Sequence, residues 1–199
     1  MCSTRGAASA SAMNDAVIYD DEVQLFRAAG IGVTPTLTYL ALPPRLAENP
    51  RLLDSHELAP FVQQGDLDDF ARLPPQFLAR YPRAAADGRA SIAKLARAGV
   101  VIGVGTDTWQ IPTAVHLELE ELVAAGLSPA QAIRAGTSSA ARIIGAASEL
   151  GTIEAGKRAD LLILDADPTT DIRNTRKISA VLQDGRVVDR GAILAAARK

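Results

Sequence analysis

Apolar and polar positions alternate in a way that predicts helices around two short buried strands, followed by a β-rich segment. Residues 21–30 place Val23, Phe26 and Arg27 at helical spacing, and Gly30 is the expected stop. Residues 31–37 are β-branched and bounded by Gly and Pro, the pattern of a buried strand in a parallel sheet. Helical spacing returns over 84–99, with Ile92, Leu95 and Ala96 on one face and Gly99 at the end. Residues 100–105, Val-Val-Ile-Gly-Val-Gly, read as a second buried strand that opens directly into Thr106-Asp107-Thr108. A helix from about residue 116 to 125 carries Leu119, Leu122 and Val123 on one side and stops at Gly126. Ser128-Pro129-Ala130-Gln131 is a capping box opening another helix. Gly136 is expected to break that helix, and Thr137 or Ser138 to cap the next, which ends at Gly145.

After residue 150 glycines punctuate short strands. Residues 159–164 form one, and 180–182 and 186–188 flank Asp184-Gly185, a type I′ hairpin signal. Between 41 and 83 lie Pro43, Pro44, Pro50, Pro60, Pro74, Pro75 and Pro82, with Pro35 just upstream. That stretch predicts a long excursion with short helices, serving as a lid or substrate wall or as a surface insertion. The expected organisation is a loose tail over 1–20, an α/β part over 21–149 and a small β module over 150–199. A complete eight-stranded barrel takes roughly 250 residues, so 1–149 hold either a small open sheet or the last part of a larger barrel.

Composition narrows the class. The chain has 199 residues, 48% of them hydrophobic, enough for one core. A net charge of -2 gives no basic footprint for nucleic acid, and 4% aromatic content leaves few stacking platforms. The apolar runs fall well short of the roughly 20 residues that span a bilayer. Neither nucleic acid nor membrane is therefore an expected partner. The first residues lack an apolar signal-peptide core, and a cytoplasmic location is the default expectation. The lone cysteine, Cys2, excludes an internal disulfide and any multi-cysteine metal site.

The best-placed chemical group is Asp107, at the C-terminal end of an apolar strand, where α/β folds put catalytic groups. A carboxylate there can ligate a metal and move protons. The same position suits a turn cap bonded to backbone N–H groups. Two histidines exist. His116 opens a helix nine residues after Asp107 and either faces the same pocket or is solvated. His56, in Asp-Ser-His-Glu-Leu, reads as a helix-start residue. Thr106 and Trp109 flank Asp107 as candidate pocket wall. No H-x-H, H-E-x-x-H, nucleophile elbow, P-loop or dinucleotide fingerprint is present.

Taken together, Gly105-Thr106-Asp107, the run from His116 to Pro129, Ala132-Ile133, Ala140-Ala141-Arg142, and Leu150-Gly151-Thr152-Ile153-Glu154-Ala155-Gly156-Lys157-Arg158-Ala159-Asp160-Leu161 resemble the C-terminal part of the amidohydrolase superfamily. The likeness is strongest to its imidazolonepropionase and dipeptidase-like branch. Val33-Thr34-Pro35-Thr36-Leu37 resembles that branch's seventh barrel strand. The resemblance implies an α/β fold: the C-terminal part of a metal-dependent (β/α)₈ barrel followed by a small β-sandwich module. It implies hydrolysis of an amide, cyclic amide or dipeptide C–N bond in a small-molecule substrate. It implies one or two divalent metals, usually zinc, and it makes Asp107 the eighth-strand metal ligand and proton shuttle. The sequence departs from the family's pattern in lacking the first-strand H-x-H, the bridging lysine or glutamate, and the fifth- and sixth-strand histidines; Asp15-Ala16-Val17-Ile18-Tyr19, where the last would fall, has none. Two expectations follow: a hydrolase segment that needs further ligands, or a non-catalytic half-barrel that forms a homo-oligomer or pairs with a complementing N-terminal half.

Overall fold

A computed structural model of the chain describes residues 8–10, 17–49, 51–52, 74–107 and 113–197. Its centre is a set of short parallel strand segments. β1 (Ala8–Ala10) lies parallel to β2 (Val33–Pro35), with Ala8 opposite Val33 and Ala10 opposite Pro35. On its other side β2 meets the extended segment 100–105 through a parallel bridge between Val33 and Ile102. Val33 N–H donates to the Val101 carbonyl at 2.8 Å, Gly103 N–H to the Val33 carbonyl at 2.8 Å, and Gly105 N–H to the Pro35 carbonyl at 3.0 Å. Ala8–Ala10 falls in the stretch expected to be a loose tail. Its Ala-Ser-Ala sequence carries no β-branched signal, so only pairing with β2 identifies it as a strand. The residues at 17–19 form no strand.

Helices cover this sheet. α1 (Asp20–Ala29) ends at Gly30 in a left-handed conformation, as the pattern predicts. α2 (Leu37–Glu48) starts two residues after β2. Pro43 and Pro44 lie inside this 12-residue helix, where the proline count predicted a long excursion with short helices. Burial of Leu40, Ala41, Leu42 and Pro43 accounts for the difference, because packing offsets the lost helical hydrogen bonds. After α3 (Pro75–Leu78), α4 (Tyr81–Arg97) packs on α2, and α5 (Ala114–Ala124) packs on both. The main core joins Val33, Val100 and Ile102 of the sheet to Leu37, Ile92, Leu95, Leu119 and Leu122 of the helices.

Gly136 does not break the next helix. α6 (Pro129–Arg134) runs through a π-turn at Ala135–Ser139 into α7 (Ala140–Ile143). The backbone stays helical through the wider turn and Thr137 Oγ1 donates back to the Ile133 carbonyl at 2.8 Å, so neither Thr137 nor Ser138 caps a new helix. The capping box at Ser128 forms as predicted.

The C-terminal strands β3 (Leu161–Leu164), β4 (Ile178–Gln183) and β5 (Arg186–Val187) make an antiparallel sheet in that order. Asp184 at φ 49° and Gly185 at φ 75° supply the two left-handed residues of a type I′ turn. A 3₁₀ helix (Ile172–Arg176) leads into β4 and packs on α5. α8 (Arg190–Ala197), which the pattern did not predict, closes the described chain.

Candidate functional site

The segment 100–105 delivers Asp107 to the C-terminal end of the parallel strands, beside the end of β2. Gly105 sits against the end of β2, its N–H on the Pro35 carbonyl at 3.0 Å. A Cβ there would lie 2.8 Å from Thr34 Cγ2 and 3.1 Å from the Pro35 carbonyl oxygen, so no side chain fits without movement. Thr106 is half-buried and Asp107 is exposed. Asp107 takes φ 49°; the other left-handed non-glycine among the described residues is Asp184 of the hairpin turn. An L-residue in that region carries a modest conformational cost that Asp tolerates better than most. The turn lifts Asp107 off the strand axis and leaves its carboxylate outside the core.

The next described element, α5, supplies groups that the sequence reading passed over. Its buried stripe runs Ala114, Leu117, Glu118, Glu121, Leu122, Ala125, a helical spacing into which two carboxylates are set. The helical spacing was in the sequence, but the charges at Glu118 and Glu121 hid it as a buried stripe. Glu118 is 0% exposed. Its Oε1 accepts the Leu37 N–H at 3.0 Å and its Oε2 the Thr38 N–H at 2.7 Å. Burial pushes the Glu118 carboxyl up to about 7, against the opposing pull of the Thr38 and Leu37 hydrogen bonds. Arg45 of α2 reaches Glu121 at 3.2 Å and Glu120 at 2.7 Å; Arg89 of α4 joins Glu121; Arg176 of the 3₁₀ helix donates to Glu120 at 2.6 Å.

His116 is tied into the same layer. Its Nδ1 lies 3.0 Å from Thr175 Oγ1, whose own proton goes to the Ile172 carbonyl at 2.8 Å, so Nδ1–H is the donor. Burial lowers the His116 pKa, Arg176 lowers it further, and Glu120 opposes both. The structure thus joins His116 to the 3₁₀ helix; no contact with Asp107 is among its hydrogen bonds. Trp109, His56 and Cys2 lie outside the described residues.

Asp107 is one carboxylate donor. Among the described residues no group of three or more His, Cys, Asp or Glu side chains is arranged to hold a metal ion. The described donor set does not by itself fit the divalent metal that the sequence resemblance implies. Nor, among the described residues, is any helix long and apolar enough to cross a membrane.

The amidohydrolase family model matches residues 10–188, and the chain belongs to that family. It is 31% identical over 127 residues to the 5-methylthioadenosine/S-adenosylhomocysteine deaminase of Symbiobacterium thermophilum, covering 52% of this chain and 29% of the relative. It is 38% identical over 79 residues to the imidazolonepropionase of Rubrobacter xylanophilus, covering 36% of this chain and 18% of the relative. Among solved structures, a prolidase complexed with N-methylphosphonate-L-proline superimposes with a TM-score of 0.67 at 26% identity, over 92% of this chain and 40% of that one. The chain therefore spans less than a third of the curated relatives it matches here.

Proposed function

We propose that this chain is the Asp107-bearing end of a hydrolase that cleaves a C–N bond in a small amide, cyclic amide or dipeptide. The observation that carries the reading is the placement of Asp107 in a family member: exposed, left-handed, and at the C-terminal end of a strand hydrogen-bonded to β2. Parallel segments 33–35 and 100–105, each followed by a helix, support the reading that residues 21–149 are the last units of a (β/α)₈ barrel, and segment 8–10, followed by α1, extends the pattern into the stretch expected as a tail. The antiparallel β3–β4–β5 sheet supports a β-sandwich module over 150–199. Asp107 would take a proton as water attacks the carbonyl carbon and return it to the leaving nitrogen. A divalent metal, zinc in the usual family form, belongs to the complete site, whose further ligands come from outside the described residues. Thr106 and Trp109 are proposed as pocket wall. His116, held by Thr175, is the weakest of the three pocket candidates. A cytoplasmic protein, assembled with itself or with a complementing half, completes the proposal.

The test uses the native gene product, with whatever sequence flanks these residues. A panel of dipeptides and cyclic amides is assayed before and after chelation, with metal content measured in parallel. Turnover that disappears with the metal is the expected outcome. No turnover across the panel from metal-loaded protein overturns the reading in favour of a non-catalytic, self-associating protein.

A further inference from the structure

α2 begins without a cap of its own. Thr36, at its N-cap, makes no side-chain hydrogen bond to the helix. The first two N–H groups, of Leu37 and Thr38, instead go to Glu118, about 80 residues further along the chain. A Ser or Asp at the cap would satisfy such a group locally, without burying a charge. A fully buried carboxylate is a costly substitute, and what it adds is a fixed relation between two elements. Those elements are the helix that follows β2 and the first described helix after Asp107. Arg45 repeats the link further along α2, binding Glu120 and Glu121. The two strand ends from which these helices depart are themselves joined, Gly105 N–H to the Pro35 carbonyl, with no room at Gly105 for a Cβ. A shift of the α2 start therefore passes through Thr36 and Pro35 to Gly105, two residues before Asp107.

We infer that Glu118 is a positioning residue for the Asp107 site, holding the start of α2 so that β2 sets where the neighbouring strand end presents its carboxylate. The inference rests on the proposed role of Asp107, and its test keeps the two apart. Amide exchange and amide chemical shifts are followed in the full chain for wild type, Glu118→Gln, Thr36→Asp, and the two changes combined. Gln keeps one acceptor oxygen and the side-chain length, so one of the two N–H groups loses its partner. Glu118→Gln is expected to speed exchange about tenfold or more at whichever of Leu37 and Thr38 loses its acceptor, and to shift the Thr106 and Asp107 resonances while those of β3 and β4 stay in place. Adding Thr36→Asp gives α2 a local cap. It is expected to hold protection at Thr38, the second helical N–H, which a cap side chain reaches, yet leave Thr106 and Asp107 displaced relative to Thr36→Asp alone. If the local cap returns Thr106 and Asp107 to their places, or Glu118→Gln never moves them, Glu118 only caps a helix and the inference is wrong. Should Glu118→Gln fail to fold, Glu118→Asp, one methylene shorter, reads the same displacement. Turnover lost in Asp107→Asn alongside unmoved resonances in Glu118→Gln rejects the positioning role alone. Unchanged turnover in Asp107→Asn rejects the reading of the site, whatever Glu118 does.

Discussion

At the scale of single residues, Glu118 carries a pH signature. Its folded pKa is raised to about 7 from an ordinary carboxylate value, chiefly by burial. Between those two values the folded chain holds a proton that the unfolded chain has released. Stability from this group is therefore fully present at low pH and is lost as pH rises toward 7, on the order of 3 kcal/mol in all. Urea unfolding of wild type and Glu118→Gln from pH 4.5 to 8 checks this: the difference between the two curves should slope across that window, and parallel curves contradict it. Gly105 makes a second residue-scale prediction. An alanine there pushes on Thr34 and the Pro35 carbonyl, and Gly105→Ala should lower the unfolding free energy by about 1–3 kcal/mol. An unchanged urea midpoint would show that the strands separate freely.

Elements differed in how much of them the pattern exposed. α1, α5, the Ser128 capping box and the Asp184-Gly185 hairpin were legible because local chemistry fixes each: a left-handed stop at Gly30, an apolar stripe, a reciprocal cap, two positive-φ turn residues. α2 was not, since two prolines argue against a helix and the burial that overrides them comes from α4 and α5, distant in sequence. β1 was hidden for the same kind of reason, a strand defined by its partner. The π-turn at Ala135–Ser139 followed from a threonine back-bond that competes with the glycine break. Asp107 was visible as a strand-end carboxylate, but its left-handed turn was not, and the carboxylates of α5 drew no reading because their partners lie on α2, α4 and the 3₁₀ helix. The cap gives a direct check on local reading. Ser128 Oγ accepts the Gln131 N–H at 3.3 Å and Gln131 Oε1 the Ser128 N–H at 2.8 Å. Ser128→Ala should cost about 1 kcal/mol in equilibrium unfolding; a neutral substitution would mean the cap contributes nothing beyond packing.

Across the whole molecule, Arg45, Arg89 and Arg176 tie α2, α4 and the 3₁₀ helix to the two glutamates Glu120 and Glu121. Arg176 is the member that links the C-terminal segment to the helical layer, together with the His116–Thr175 hydrogen bond. Arg176→Ala should raise hydrogen exchange over residues 172–183 several-fold while leaving α4 protected; uniform change throughout would place the effect on global stability instead. The proposed site rests on one exposed carboxylate at a strand end, Asp107. The most direct test is therefore kcat for Asp107→Asn against wild type in the native gene product, with the fold of both verified by circular dichroism. A fall of about 100-fold or more is predicted for the loss of an acid–base carboxylate; a variant that turns over at the wild-type rate would contradict the assignment of Asp107.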